Sequence, residues 1–501
     1  MTAQLPFRPG VFTRLADEVP PAERYARYAA RADPEAARGA RHDTYAGTPD
    51  DVRKANGTES ERPMRLPHRP RKPKRTPAAA ATASLALTAA LTLAAGCAPA
   101  GPATPTGEAA VRPHWAQSWG AAVQPPAGRA QGAPGNWSRR GFRDASVRQI
   151  VRVTAGGSQV RIRLSNRYGT APLKIGGAAL GRSAGGGAVW PGTTRRVTFR
   201  GAGSAVVPPG GELTGDPLPL AASPGEDLAI TLRFTGRTGP ATFHRVGLAP
   251  SYRAPGDHLT DVLPTAYTRT SRATYYLTGV DVLSRSAPVR GTVVAFGDSV
   301  TDGVGTTPGA DRRYTDDLAA RLTAARRGLG VVNRGIAGNM LLTRSPCAGE
   351  PGVARFRREV LDRPDVRTVI LELGSNDIGL SHARTRCLPP SHRPLTARRL
   401  VDGYASLVRA AHRRGIKVIG TTVIPLHGYP GHTAREERLR ARVNHWIRTG
   451  GAFDAVADFD RALADPAHPD RPRPGYAARD GLHPNDTGAR ALAEAIPLDR
   501  L

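Results

Sequence analysis

From Arg290 onward the chain repeats one pattern: a short, continuously apolar run followed by a helical stretch. The runs are Thr292–Phe296, Gly330–Asn333, Val366–Leu373, Ile416–Val423 and Phe453–Phe459. Helical patterns lie between them, for example Asp316–Arg326, Leu400–Arg413 and Ala434–Ile447. Strands that alternate with helices pair in parallel, and a parallel sheet has both faces covered, so its strands are apolar throughout. This alternation constrains the fold more than any other feature of the sequence. Residues 290–501 therefore read as a three-layer α/β/α domain with a five-stranded parallel sheet in a flavodoxin-like order.

Upstream, the period changes from runs to alternation. Val160, Ile162 and Leu164 alternate with Arg161 and Arg163, and Leu228, Ile230, Leu232 and Phe234 with Ala229, Thr231 and Arg233. Further short strands are expected at Val197–Phe199 and Tyr275–Leu277, with Gly and Pro clusters between. Such strands predict an antiparallel β-sandwich over residues 113–285. Trp115, Trp119, Trp137 and Trp190 could fill its core or offer faces to sugar rings, and the core is the stronger expectation.

Residues 1–63 are polar and show no sustained hydrophobic period. After Met64 come a basic run (Arg69, Arg71, Lys72, Lys74, Arg75) and an apolar stretch from Ala78 to Ala95. That is the charged and apolar succession of an export signal, expected over 64–97, which places the translation start at Met64 and makes 1–63 a non-native or disordered extension. The alternative is a cytoplasmic tail before a membrane span, for which the apolar run is short and Ala-rich. Leu93-Ala94-Ala95-Gly96-Cys97 is similar to a bacterial lipobox, which would make Cys97 a lipid attachment point, whereas Ala98-Pro99-Ala100 offers ordinary signal cleavage. Residues 98–112, rich in Pro, Gly and Thr, read as a tether. Both routes place the protein outside the cytoplasm.

The chain carries 71 Lys and Arg against 42 Asp and Glu, a net charge of +29. The excess is almost all Arg, spread along the chain and unaccompanied by a nucleic-acid-binding motif, so no specific nucleic-acid partner is expected. With Cys97 set aside, Cys347 and Cys387 suit either one disulfide of an exported protein or two buried thiols, with the disulfide preferred. Three cysteines give no Cys/His metal framework, and no metal or organic cofactor is called for.

The polar clusters that follow the strands carry the chemistry. Gly297-Asp298-Ser299 closes the first run, Asn333 to Asn339 with Gly335 and Gly338 follows the second, and Gly374-Ser375-Asn376-Asp377 the third. Asp480-Gly481-Leu482-His483 stands before the last helical stretch. The carboxyl ends of parallel strands are where such sheets place ligands, so these clusters can meet there. A serine needs a base, an orienter for that base, and donors for the oxyanion. Asp480 can reach His483 Nδ1 within one loop and leave Nε2 for a serine. The Gly-x-Ser-x-Gly elbow of α/β-hydrolases is absent, because the fifth position is Thr301.

Taken together, the four blocks resemble the SGNH (GDSL) hydrolase family over roughly residues 290–496. The resemblance implies Ser299 as nucleophile, His483 as general base and acid, and Asp480 as its orienter. It also implies an oxyanion hole made by the Ser299 N–H, the Gly338 N–H and the Asn376 side-chain amide. Over about 115–496 the chain is similar to secreted actinobacterial esterases of this family, xylan-esterase-like members included, on the strength of Trp-Ala-Gln-Ser-Trp (115–119), Leu-Ser-Asn-Arg-Tyr-Gly-Thr (164–170) and Gly-Asp-Ser-Val-Thr-Asp-Gly (297–303). Ser375 departs from the bulkier residue that relatives often carry there, which bears on acyl or leaving-group preference.

The expected activity is hydrolysis of carboxylic esters through an acyl-serine, with short acyl groups such as acetyl, on a small molecule or a polysaccharide. A lipase or lysophospholipase acting on lipid esters is the alternative within the family, and a non-catalytic carbohydrate-binding surface protein the alternative outside it. Asp302 is expected to order a loop or cap a helix. His382, His392, His427 and His432 either border the acyl pocket or are solvated loop residues.

Overall fold

The computed structural model describes residues 114–127, 135–284 and 289–501. The expected extension (1–63), export signal (64–97), Cys97 and tether (98–112) lie outside them.

The apolar runs of the C-terminal part form five strands: Gly291–Gly297, Leu329–Asn333, Val366–Glu372, Lys417–Thr421 and Ala455–Ala457. Every neighbouring pair is parallel. The order across the sheet places Leu329–Asn333 at one edge, then Gly291–Gly297, Val366–Glu372, Lys417–Thr421 and Ala455–Ala457. The first strand is thus flanked by the second and third, and the order reverses there. Chain direction diverges at such a point, leaving a crevice at the carboxyl ends.

Helices cover the sheet because their apolar residues recur at three- and four-residue spacing. Helix Ala397–His412 begins at the side-chain cap of Thr396 and buries Leu400, Gly403, Tyr404, Leu407, Val408 and Ala411. It packs against helix Ala434–Thr449, and helix Tyr314–Ala324 packs against helix Asp486–Glu494. Strand and helix residues share one buried cluster, including Val293, Val294, Phe296, Leu318, Val369, Ile370, Leu407, Ile419 and Leu492. Each such side chain contributes about 1.5–3 kcal/mol on leaving water.

One expected run is cut short. Phe453–Phe459 yields only the strand Ala455–Ala457. Asp454 accepts the Val418 N–H at 2.7 Å. Asp458, held by Arg448 at 2.7 Å, caps a new helix, Phe459–Leu463. Two carboxylates that take backbone donors have ended the strand at both sides.

The N-terminal part is antiparallel throughout. One sheet contains His114–Gly120, Leu277–Ser284, Gly157–Ser165, Glu212–Thr214 and Leu218–Ala222. The other is built on Arg143–Arg152, Asp227–Arg237 and Leu173–Gly185, with Ser251–Pro255 beside the first. Val160, Ile162, Val280 and Val282 of one sheet and Val147, Ile230, Leu232 and Leu180 of the other belong to a single buried cluster. The turn near Ala155–Ser158 joins strands of different sheets, so the two runs beside it never pair with each other. Trp119 and Trp137 pack on this cluster, and Trp137 stacks on Tyr275 at 5.3 Å. Trp115 lies beneath the Arg161 guanidinium, 4.2 Å from ring centre to cation.

The described residues belong to one compact unit, and its two parts meet along the edge of the parallel sheet. Val331 on the edge strand donates its N–H to Thr154 Oγ1, which donates back to the Val331 carbonyl, both at 2.9 Å. The Gln117 N–H donates to Thr292 Oγ1 at 3.0 Å. Buried Arg334 reaches across to the carbonyls of Ala121 and Thr278. An edge that would otherwise offer unpaired backbone groups is therefore covered from within the same chain.

Candidate active site

Gly297 ends the first strand beside Glu372, its partner in register on the neighbouring strand. A Cβ at Gly297 would stand 2.0 Å from Thr301 Oγ1 and 2.5 Å from Glu372 Oε2, so only glycine fits. The chain then turns straight into the short helix Ser299–Asp302, whose cap is Asp298, accepting the Val300 N–H at 3.1 Å. Asp302, for which capping was one expectation, lies at the helix end instead. Its Oδ2 accepts the Ala337 N–H at 2.7 Å, so it orders the neighbouring loop.

Glu372 is a residue that sequence reasoning passed over. Its Oε2 accepts from the Asp298 N–H (3.1 Å), the Thr301 N–H (3.3 Å) and the Thr301 hydroxyl (2.8 Å). One buried carboxylate thereby fixes the serine turn from the adjacent strand. Burial, then the charge of Glu372, pushes the Asp298 carboxyl well above the usual carboxylate range. Burial also raises Glu372.

Ser299 is 8% exposed, and its Oγ lies 2.9 Å from His483 Nε2. On the other side of the ring, His483 Nδ1 is 2.6 Å from Asp480 Oδ2. The second oxygen of Asp480 accepts the backbone N–H groups of Leu482 and His483, both at 3.0 Å. Burial works to raise this carboxyl, but the bonds from the His483 ring and the two backbone donors prevail and hold it below its ordinary value. The four-residue segment Asp480–His483 is thus closed on its own aspartate, and Asn485 immediately caps the helix that follows.

The structure brings the remaining expected residues to the same strand ends. Ile336 to Asn339 form a turn in which the Asn339 N–H donates to the Ile336 carbonyl at 2.9 Å. Gly338, with φ +81°, occupies the position at which a type II turn requires a left-handed residue. Asn376 starts within the short helix Ser375–Gly379. Its amide is held by two partners: Nδ2 donates to the Asn339 carbonyl and Oδ1 accepts from the Tyr429 hydroxyl, both at 3.0 Å. One amide N–H then has no role in that bracing. Burial raises the Tyr429 hydroxyl, which keeps it a donor to Asn376. Buried Arg355 supports the same region, donating to the carbonyls of Gly297 and Arg334 and to Asn339 Oδ1. Neither Tyr429 nor Arg355 carries a local signal, since both act through contacts made only in the folded chain. Ser375, beside Asn376, is buried.

Cys347 and Cys387 form a disulfide that joins the loop after Gly338 to the loop after Asn376. Near it lies a cavity of about 550 Å³ whose walls include Leu342, Arg344, Asp377, His392, Arg393 and Arg399. Asp377 accepts the N–H groups of Leu341 (2.7 Å) and Leu342 (3.1 Å), and burial pushes its carboxyl up to about 6. Of the four loop histidines, only His392 is among these lining residues. His382, His427 and His432 lie beside Glu436, Asp470 and Glu437 respectively.

A hydroxyl, an imidazole and a carboxylate in hydrogen-bonded series, at the carboxyl edge of a parallel sheet, have the geometry of a serine hydrolase. Residues 295–491 match the model of the GDSL-like lipase/acylhydrolase family, so this part of the chain belongs to that family, and the protein is a carboxylic ester hydrolase. Solved structures to which the chain is similar include the lipase/acylhydrolase from Enterococcus faecalis, at 20% identity over 41% of this chain and 92% of that one, with a TM-score of 0.31. Another is the psychrotrophic esterase EstA from Pseudoalteromonas sp., at 16% identity over 41% and 93%, with a TM-score of 0.30. A third is an acetyl xylan esterase, at 19% identity over 41% and 96%, with a TM-score of 0.31. A comparison with curated proteins gives no match.

Proposed function

We propose that the protein is an exported serine esterase that removes short acyl groups, acetyl foremost, from a small molecule or a polysaccharide. The observation that carries the reading is the unbroken series Ser299 Oγ, His483 and Asp480, with spacings of 2.9 and 2.6 Å. In the reaction, Ser299 Oγ attacks the ester carbonyl carbon while its proton passes to His483 Nε2. Asp480 keeps the Nδ1 proton in place and favours the imidazolium. The carbonyl oxygen, now negative, takes hydrogen bonds from the N–H groups of Ser299 and Gly338 and from the Asn376 amide. His483 returns the proton to the departing alcohol, leaving an acyl-Ser299. Water, deprotonated by the same nitrogen, then releases the acid and restores the serine.

The short-acyl reading is supported by the resemblance of residues 115–496 to secreted esterases of this family, xylan-esterase-like members included. The N-terminal part serves in this reading as a β-sandwich accessory domain (113–285) ahead of the three-layer hydrolase domain (290–501). Export follows from the basic and apolar succession over 64–97, with Cys97 as the point of membrane attachment.

The test is hydrolysis of p-nitrophenyl acetate, butyrate and palmitate by the full chain and its Ser299→Ala variant. Acetate turnover that disappears in the variant is expected, with rates falling toward palmitate. A preference for palmitate would replace the short-acyl reading with a lipase, and equal rates for both proteins would remove Ser299 from the mechanism.

A further inference from the structure

Ala337 is held at both of its backbone groups, and the clamp on its carbonyl, which belongs to the peptide before Gly338, comes from the β region. Arg245 follows the strand Phe243–His244 and donates from Nη2 to the Ala337 carbonyl at 2.9 Å. The N–H of Ala337, on the preceding peptide, donates to Asp302 Oδ2. Asp302 is in turn 2.9 Å from Nε2 of His244, with both side chains buried. Arg245 is itself fixed, its backbone N–H donating to Gln124 Oε1 at 3.0 Å.

The Ala337 carbonyl and the Gly338 N–H belong to the same planar trans peptide and point in opposite directions. Whatever holds the carbonyl therefore aims the N–H. This peptide is also the central one of the turn, and type I and type II turns differ by a flip of that unit. With φ +81° at Gly338, the type II orientation is the one present. Glycine permits either orientation at little cost, so the sequence of the turn does not choose between them.

We infer that Arg245 is a positioning residue for catalysis: it selects the orientation in which Gly338 presents its N–H to the oxyanion. The β region thus completes the oxyanion hole of the hydrolase part through Arg245, with His244 and Asp302 steadying the other side of Ala337. A cation on the carbonyl also polarises the peptide and strengthens its N–H as a donor. The inference rests on the reading of Ser299 as the nucleophile.

The experiment compares the full chain with Arg245→Met, Arg245→Lys, Ser299→Ala and Glu212→Gln. The last weakens a separate contact between the two parts, the pair Glu212–Arg363 at 3.1 Å. Steady-state kinetics on p-nitrophenyl acetate and the affinity of a small alkyl boronic acid, which forms a tetrahedral adduct on a serine, are measured for each. Arg245→Met is expected to lose about 10- to 100-fold in kcat, somewhat less than outright removal of an oxyanion donor. KM should stay within a few-fold, and boronate affinity should fall in step with kcat/KM. Arg245→Lys should recover part of the loss, and Glu212→Gln should match the wild type. Wild-type kcat and boronate affinity in Arg245→Met would overturn the inference alone. So would a loss that Lys fails to relieve and that tracks a lowered melting temperature. Equal turnover by wild type and Ser299→Ala would overturn the underlying reading, and this inference with it.

Discussion

The two sides of the site are built in opposite ways. The base side is local: Asp480 closes its own four-residue turn and holds His483 within it. The proposed oxyanion side is assembled from afar, with Ala337 held by Asp302 and Arg245, and Asn376 held by Asn339 and Tyr429. A local turn can be swapped between sequences as a unit. A braced peptide depends on every segment that reaches it, including one from outside the parallel sheet. Substitutions on the base side should therefore act on the chemistry alone, whereas those on the oxyanion side should reveal connections across the molecule.

The largest effect is expected on the local side. Asp480→Asn leaves a hydrogen-bonding group in place but favours the wrong tautomer of His483, so kcat should fall by about 10³- to 10⁴-fold. A melting temperature near that of the wild type should accompany it, because Asp480 is half exposed. A large loss of stability would show that the turn is less self-contained than its geometry indicates. Asn376→Ala removes a donor outright and should cost about 10²- to 10³-fold in kcat with little change in KM. A rise in KM with kcat intact would mean that Asn376 binds the ground state and not the oxyanion.

Tyr429→Phe tests whether bracing matters once the donor is present. The amide of Asn376 keeps its bond to Asn339 but loses the partner of its oxygen, so a loss of about 3- to 15-fold in kcat is expected, the equivalent of one hydrogen bond. An unchanged kcat would break the proposed dependence of this side on distant residues.

Asp377, beside Asn376, gives a purely thermodynamic test, read in stability and not in turnover. Burial holds its carboxyl near 6, above the value of about 3.9 for an unfolded aspartate. Between those values the native state keeps a proton that the unfolded state has released, so stability falls as pH rises through this window. From pH 4 to pH 7 the wild type should lose about 2–3 kcal/mol more than Asp377→Asn in denaturant unfolding. Equal losses would contradict the assignment.

The same contrast explains what could be read from the sequence. Gly297-Asp298-Ser299 and Asp480-x-x-His483 are legible because their geometry is contained within a few residues. The five parallel strands are legible because burial on both faces leaves a continuous apolar run. The end of the last strand was not, since it depends on Asp454 and Asp458 taking donors from a neighbouring strand and from the next helix. Glu372, Tyr429, Arg355 and Arg245 were not legible as functional residues either. Each meets its partner tens of residues away, and nothing in the flanking sequence marks a glutamate at a strand end or an arginine after a short strand. Asp302 lay between these cases: its place beside Ser299 suggested an ordering role, but its partners, Ala337 and His244, appear only when the loop and the β region come together.

In the proposed mechanism Ser299 carries the acyl group between two half-reactions. The most direct measurement is peptide mass spectrometry of the full chain quenched in acid during turnover of p-nitrophenyl acetate. One acetyl group is expected on the peptide that contains Ser299, absent from Ser299→Ala treated in the same way. A turning-over enzyme with no acetyl group at Ser299, or with the same adduct pattern in the variant, would contradict it.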